Sequence, residues 1–504
     1  DYYEAQINMH LICLRYFFEF TDTQGEKVYY GNYEFDKECI TNRDRMFDCP
    51  QNLREEEMFE VPEWAANKVV YQIFPSRFAA TEPVDKELWY KAPITPMDDL
   101  HGNLRGIIEH MDDIQNLGID VLYMTPIFQS NSCHKYDTTD YYQIDPSFGT
   151  TEDLKELVQK AHERGMKVVL DAVYNHTGTE FFAFADILEN GEKSKYRDWY
   201  FIDGFPLKGE WGEIPNFKCF GYYGGMPKLN LKNPEVEKYI MDVACYWIKE
   251  CDIDGWRLDV GDEISHFFWK NFRKAVKAVK KDMLIIGEIW HYAGDFLEGD
   301  EWDTVMNYPF YLNLIDLLAD EKITVSQFVQ NLGYLKGRLH KNCYPLMWNL
   351  IDSHDTARFL HLCNDNKKKQ HLAAAFQLLL PGMPMIYYGD EYAMPGANDP
   401  DCRRGMYWDE EYQDKEMYEW YKRLIQVRKS HACIVEGELA GSVTEDEEGT
   451  VVLIRKNGEE TIAMIFNCSS SAKKFNEYTQ KYNLLTENTF DGNVEGFDAA
   501  VIVL

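Results

Sequence analysis

Four short stretches carry most of the side chains that could do chemistry: DAVYNH at residues 171–176, GWRLD at 255–259, GEIWH at 287–291 and DSHD at 352–355. Each reads as the end of a buried strand that delivers an acid or a histidine at its C-terminal tip. In GWRLDV, alternation puts Trp256, Leu258 and Val260 on one face and Arg257 and Asp259 on the other, so a cation and a carboxylate enter the interior of a sheet together. Charges are rarely buried there without a task. The next strand, MLIIGEIW, ends near Glu288 after about one strand-helix-strand unit of roughly 30 residues, which makes the two strands neighbours.

Two adjacent carboxyl groups, one ionised and one protonated, are the machinery of glycoside cleavage. Arg257, on the face of Asp259, is expected to hold that carboxylate ionised, which makes Asp259 the nucleophile. Glu288 ends an apolar strand and is followed by Ile289 and Trp290, so it is expected to have the raised pKa of a general acid. His354 and Asp355, with Asp171, Asn175 and His176, supply groups that can grip sugar hydroxyls. Tyr136, Trp290, Tyr308 and Phe220 supply flat rings for pyranose faces. Any one acid among 85, or any one ring where 15% of residues are aromatic, reads as surface or core. The joint order of the four stretches decides otherwise. A serine-protease reading of Ser353, His354 and Asp355 fails, because adjacent residues on an extended strand face opposite ways and no nucleophile-elbow glycines surround the serine. A metal reading lacks a histidine pair at helical spacing.

The elements that must position these groups alternate along the chain. VVYQIFP, VLYMTPIF, KVVLDAV, DGWRLDV, MLIIGEI, TVMNYP, PLMWNLID and MPMIYYG can all be strands, with helical patterns such as TEDLKELVQKAHERG and NPEVEKYIMDVACYWIKE between most of them. Eight such strands predict an α/β fold closed as a parallel (β/α)8 barrel, with catalytic residues at the C-terminal strand ends. Thr151 is the expected cap of the TEDLKELVQKAHERG helix and Gly165 its terminator. The predicted organisation is a β-rich N-terminal segment over residues 1–62, a barrel over 63–430 with an inserted subdomain after the third strand at about 177–230, and an antiparallel C-terminal β domain over 431–504.

At this point the chain resembles the α-amylase family, glycoside hydrolase family thirteen, over nearly its whole length: DAVYNH, GWRLD, GEIW and DSHD look like its four signature regions. The resemblance implies retaining hydrolysis of α-linked glucans. It makes Asp259 the nucleophile, Glu288 the acid/base and Asp355 the transition-state stabiliser, with His134, Tyr136, His176, Arg257 and His354 around the glucose to be cleaved. MPKLN at 226–230 and DPDCRRGMYWD at 399–409 are similar to the cyclomaltodextrinase, neopullulanase and maltogenic amylase group. That likeness implies Asp399 and Arg403 at the next sugar out, and cyclodextrins, maltooligosaccharides and sometimes pullulan as substrates. The group is typically intracellular and forms dimers through an N-terminal β-sandwich. The N-terminal segment here is shorter than that sandwich, which counts against the same homodimer. After the nucleophile the chain reads VGDE where the group has VANE, which places Asp262 near the acceptor sites. No cofactor is required by this chemistry; the wider family's structural calcium falls near Asn175. The competing enzyme reading is an endo-acting α-amylase on starch, and the competing non-enzyme reading, a sugar-binding paralogue, conflicts with the retention of all three carboxylates.

Composition bounds these readings. A net charge of −33 over 504 residues argues against nucleic acid as a partner and favours a neutral or cationic one. No apolar run approaches the roughly 18 residues of a membrane span. The 12 cysteines are scattered without zinc-type spacing, which predicts a reducing, cytoplasmic setting; the first residue, Asp1, leaves export open.

Overall fold

Alternating apolar strands separated by amphipathic helices leave each strand two faces to bury, and the chain solves this by closing the strands on themselves. A computed structural model describes residues 14–49, 60–209 and 212–504. The strands are β1 (Val70–Ile73), β2 (Val121–Met124), β3 (Lys167–Ala172), β4 (Gly255–Leu258), β5 (Leu284–Gly287), β6 (Thr304–Val305), β7 (Trp348–Asn349) and β8 (Met383–Tyr387). They form one parallel sheet in the order β6-β5-β4-β3-β2-β1-β8-β7. A parallel bridge from Met306 to Trp348, with the Asn307 amide donating to the Trp348 carbonyl at 2.8 Å, joins the two edges and closes the barrel.

Inward-facing Val70, Val121, Tyr123, Val169, Leu284, Ile286, Met306, Trp348, Met383 and Met385 fill the interior as one apolar cluster. Above this plug the register sets Asp171 opposite Arg257 and Arg257 opposite Ile286, so the polar residues continue the same inward column. The alternation expected to carry on to Val260 stops at Leu258. Val260 instead adopts a left-handed conformation (φ 47°, ψ 46°), which turns the chain out of the sheet.

The helix after β2 and its hairpin spans Thr151–Glu163 and is capped one residue earlier than expected, by Thr150. Thr150 Oγ1 accepts from the Asp153 amide (3.2 Å) while the Asp153 carboxylate accepts from the Thr150 amide (2.7 Å). This reciprocal box needs an acid three residues on, which selects Thr150 over Thr151. The described residues of the stretch 177–233 form the excursion after β3: a helix at Phe182–Asn190, short 3-10 turns, and irregular bridges such as Tyr200 to Leu229, with His176 bridged to Lys228 at its root.

The C-terminal strands make a six-stranded antiparallel sheet from Glu438–Glu445, Thr450–Asn457, Glu460–Asn467, Asp498–Val503, Tyr482–Asn483 and Asn488–Thr489. It shares one unit, Glu60–Leu504, with the barrel. Phe466 of this sheet stacks on Phe376 of the helix Lys367–Leu379 at 4.2 Å. The N-terminal unit, Asp1–Phe59, is described by two small antiparallel sheets: Leu14–Tyr16 with Phe47–Cys49, and Phe18–Thr21 with Lys27–Tyr30 and Phe35–Asp36. The remaining positions of the β-rich segment expected over 1–62, residues 1–13 and 50–59, lie outside the described residues.

Trp302, fully buried between β5 and β6, sets the loops at the mouth of the barrel. A Cβ on Gly287 would lie 2.2 Å from its ring, and one on Gly261 2.8 Å from it. Its other neighbour, Phe296, stacks in parallel at 4.1 Å. Gly287→Ala is therefore expected to destabilise the fold by about 1–3 kcal/mol through overpacking, read as a lower urea midpoint. An unchanged midpoint would show that Trp302 does not rest on Gly287 in solution.

Candidate active site

All four stretches end at the same rim of the barrel, and one guanidinium lies at their centre. Arg257 is fully buried. Its Nη1 donates to both oxygens of Asp171 (2.9 Å each) and to Asp259 Oδ1 (3.0 Å). Its Nη2 lies 2.9 Å from Glu288 Oε2 and 3.9 Å from Asp355 Oδ2. Because the two nitrogens share a carbon, Asp259 and Glu288 are held side by side on one guanidinium, close enough to act on one glycosidic bond.

One cation cannot neutralise this many buried acids. Burial pushes the Asp259 carboxyl well above its ordinary value, with Arg257 opposing and Glu288 and Asp171 adding to the rise. Burial raises Glu288 as well, against the pull of Arg257, and raises Asp171 to about 6. Both carboxyls are thus raised, where Glu288 alone was the expectation; Arg257 lowers each of them but is divided between them. The hydrogen bonds still differ. Asp259 receives an aligned, charge-assisted bond from Arg257 on Oδ1, and its buried Oδ2 has no hydrogen-bond partner. Glu288 receives neutral donors, the Val260 amide on Oε2 (3.0 Å) and Trp290 Nε1 on Oε1 (3.2 Å). The strained backbone of Val260 is what aims that amide at Glu288.

The sugar-gripping residues gather around this pair. His354 is fully buried, with Nδ1 at 2.7 Å from Gln72 Nε2 and Nε2 at 2.5 Å from the Tyr136 hydroxyl and 3.2 Å from Asp355 Oδ2. Burial, with Arg403 and Arg257 near, keeps His354 well below the usual imidazole range, so it is neutral. Tyr136 lies parallel to His354 at 5.6 Å and donates to Asp171 Oδ2 at 3.0 Å, which fixes its ring. His134 sits beside it at 5.9 Å, and burial lowers its pKa. Arg403 ties the outer edge together: Nε donates to the His354 carbonyl (2.7 Å), Nη2 reaches Asp355 Oδ1 (3.4 Å) and Nη1 pairs with Asp399 Oδ1 (2.8 Å). His176, buried and lowered to about 3 by burial and Lys228, stacks with the half-buried Phe220 at 5.2 Å.

Two expectations are corrected. Tyr308 is fully buried with Trp290 stacked on it at 4.1 Å, so the ring exposed to a ligand is Trp290 and Tyr308 is its support. The Asp171 side chain has no exposed surface; it anchors Arg257 and accepts from Tyr123 (2.8 Å) rather than reaching a sugar. Tyr123 and Gln72 were not singled out from the sequence; the one usable signal was a glutamine inside the apolar run VVYQIFP.

Asn175, the expected neighbour of a calcium ion, is engaged at both ends. Its Nδ2 donates to Glu263 Oε2 (3.1 Å), and its Oδ1 accepts from the Lys228 ammonium, which also pairs with Glu263 Oε2 (2.9 Å) and the Glu263 carbonyl (3.1 Å). Among the described residues no group of three or more His, Cys, Asp or Glu is arranged to hold a metal.

Asp171 raises the pKa of Asp259 by like-charge repulsion and competes for Arg257. Removing its charge frees Arg257 and favours the ionised forms of its neighbours. Asp171→Asn is thus expected to move both limbs of the pH–rate profile to lower pH; limbs that stay in place would contradict a shared-proton cluster.

The family described as "Alpha amylase, catalytic domain" matches residues 72–437. A cyclomaltodextrinase from Geobacillus thermopakistaniensis (strain MAS1) is 44% identical over 476 residues, 94% of this chain and 80% of the relative. Neopullulanase 2 of Thermoactinomyces vulgaris is 41% identical over 473 residues, 93% and 80% of the two chains. A solved cyclomaltodextrinase structure superimposes with a TM-score of 0.92 at 37% identity, covering 98% of this chain and 88% of that one. A closed barrel with paired carboxyl groups at its mouth, matched along most of its length by these relatives, places the chain in the α-amylase family of glycoside hydrolases.

Proposed function

We propose that the protein hydrolyses α-1,4-glucosidic bonds of cyclodextrins and maltooligosaccharides with retention of configuration. The observation that carries this is the pair Asp259 and Glu288 on one guanidinium. A carboxylate oxygen of the ionised Asp259 attacks the anomeric carbon while Glu288 gives its proton to the departing glycosidic oxygen. A water then attacks the same carbon, Glu288 takes its proton, and the Asp259–sugar ester breaks. The charge-assisted bond from Arg257 favours the ionised form on Asp259, which leaves the shared proton to Glu288. Asp355, between His354 and Arg403, is positioned to hold sugar hydroxyls as the ring flattens. The relatives' names support cyclodextrins as substrates.

Asp259→Asn and Glu288→Gln are each expected to lower kcat on β-cyclodextrin by roughly three orders of magnitude or more, and the wild-type enzyme to release the α-anomer first by proton NMR. Initial release of the β-anomer would rule out the double displacement. Strong preference for soluble starch over β-cyclodextrin would favour an endo-acting α-amylase instead.

We further propose that the Asn175 region is held by Lys228 and not by calcium. An ammonium bound by Asn175 Oδ1, the Glu263 carboxylate and the Glu263 carbonyl supplies the positive charge there, so a divalent ion does not fit the donor set. EDTA is expected to leave both the thermal midpoint and the β-cyclodextrin turnover unchanged, whereas Lys228→Met lowers the midpoint; a midpoint that falls with EDTA and returns with calcium would reverse this assignment. We also propose a cytoplasmic setting, which the name of a relative 39% identical, the intracellular maltogenic amylase of Bacillus subtilis, supports.

A further inference from the structure

The loop after β7 carries His354 and Asp355, and a buried carboxyl closes its base. Asp352 opens the loop with almost no solvent contact, and its Oδ2 accepts the amide of Phe359, seven residues on, at 2.7 Å. Within this ring the Thr356 hydroxyl accepts the Ser353 amide (3.0 Å), and the Ser353 hydroxyl accepts the Asp355 amide (3.2 Å). A closed circuit of hydrogen bonds therefore displays the two sugar-gripping side chains, and a shift at its base is passed on to Asp355.

A second buried acid meets Asp352 there. Asp390, in the 3-10 turn Asp390–Tyr392 after β8, hydrogen-bonds Asp352 side chain to side chain. Arg358 serves Asp390: its Nη1 donates to Asp390 Oδ1 (2.9 Å), while Nη2 and Nε are taken by the carbonyls of Tyr388 (2.8 Å) and Cys402 (3.2 Å). Among the described residues no N–H or hydroxyl reaches Asp352 Oδ1 or Asp390 Oδ2. These two oxygens are left to each other, and because carboxylates only accept, a bond between them needs a proton. The charge count agrees. Glu391 is a further buried acid, held by the Tyr71 hydroxyl (2.6 Å) and the Gly389 amide (2.9 Å). All three acids draw on the guanidinium of Arg358, so they cannot all be ionised. Burial raises Asp352 against the pull of Arg358, raises Asp390 well above its ordinary value with the charge of Asp352 adding to the rise, and lifts Glu391 to about 7. The phenols facing the group, Tyr71, Tyr311 and Tyr421, are pushed up by burial and stay neutral.

We infer that Asp352 is a positioning residue for glucan cleavage: it shares one proton with Asp390, and this clasp fixes the loop on which Asp355 meets the sugar. The kinetic consequence rests on the glucan-hydrolase reading, whereas the shared proton rests on the buried pair alone. Asp352 acts through the Phe359 amide and the ring of hydrogen bonds that ends at Asp355, not by contact with substrate.

Asp352→Asn keeps the shape, accepts the Phe359 amide through its carbonyl and offers Asp390 an N–H in place of the shared proton; Asp352→Ala removes both bonds. On β-cyclodextrin at about pH 6, the Asn variant is expected to keep kcat within about threefold of wild type, and the Ala variant to lose roughly tenfold or more in kcat with KM within about threefold. The thermal midpoint gives a reading that needs no substrate. The folded pair holds a proton that the unfolded chain releases, so its contribution is complete below the ordinary carboxyl range, roughly pH 4, and is lost as pH rises through the raised values. The wild-type midpoint is therefore expected to fall between about pH 5 and about pH 9, and to fall less in the Asn variant. An Asn variant with the full wild-type fall, an Asn variant as slow as the Ala variant, or an Ala variant with kcat within about twofold of wild type would each overturn the clasp. Wild-type enzyme without turnover on β-cyclodextrin would instead overturn the hydrolase reading, while the midpoints still decide the shared proton.

Discussion

Arg257 is the constraint on which the site depends. A guanidinium with no solvent contact is costly to bury unless carboxylates surround it, and carboxylates are costly to bury without a cation. Each therefore requires the other, and the barrel supplies the geometry: Asp171 and Arg257 face each other across neighbouring strands, and Asp259 and Glu288 arrive one step beyond the strand ends. The apolar plug below, from Val169 to Met385, excludes water and makes every one of these interactions stronger. The same low dielectric forbids full ionisation of the cluster, so the acid-base division between two carboxyl groups follows from crowding as much as from any individual environment.

Within that cluster, asymmetry comes from the backbone. Val260 is β-branched yet adopts the left-handed region, a conformation maintained only where its surroundings over-determine it. Its effect is to deliver an amide to Glu288 directly after the nucleophile. The turn thus links the two reacting groups through one peptide, and the close approach of Gly261 and Gly287 to Trp302 leaves the loops little room to relax.

Much of this was legible in the residues. Strand alternation gave the inward pairing of Arg257 with Asp259, and strand count gave the barrel, because both depend on periodicity that survives in sequence. The position of Glu288 at a strand end was equally plain. What escaped was whatever depends on contacts distant in sequence. Asp171 read as a sugar ligand because nothing local reveals that Arg257, 86 residues away, occupies it. Tyr308 read as a platform because the ring that covers it, Trp290, belongs to another loop. The rise of Asp259 alongside Glu288 escaped for a related reason: a pairwise argument about Arg257 and Asp259 could not count the other carboxylates drawing on the same cation. The cap at Thr150 was a smaller miss, settled by the acid at Asp153.

The packing of one indole against two backbones that lack side chains has a consequence for how such a chain can diverge. Positions 261, 287 and 302 occupy a single volume, so mass gained at either glycine and mass lost at the tryptophan offset one another. The three sites are therefore coupled, and compensated combinations lie within reach only when they vary together.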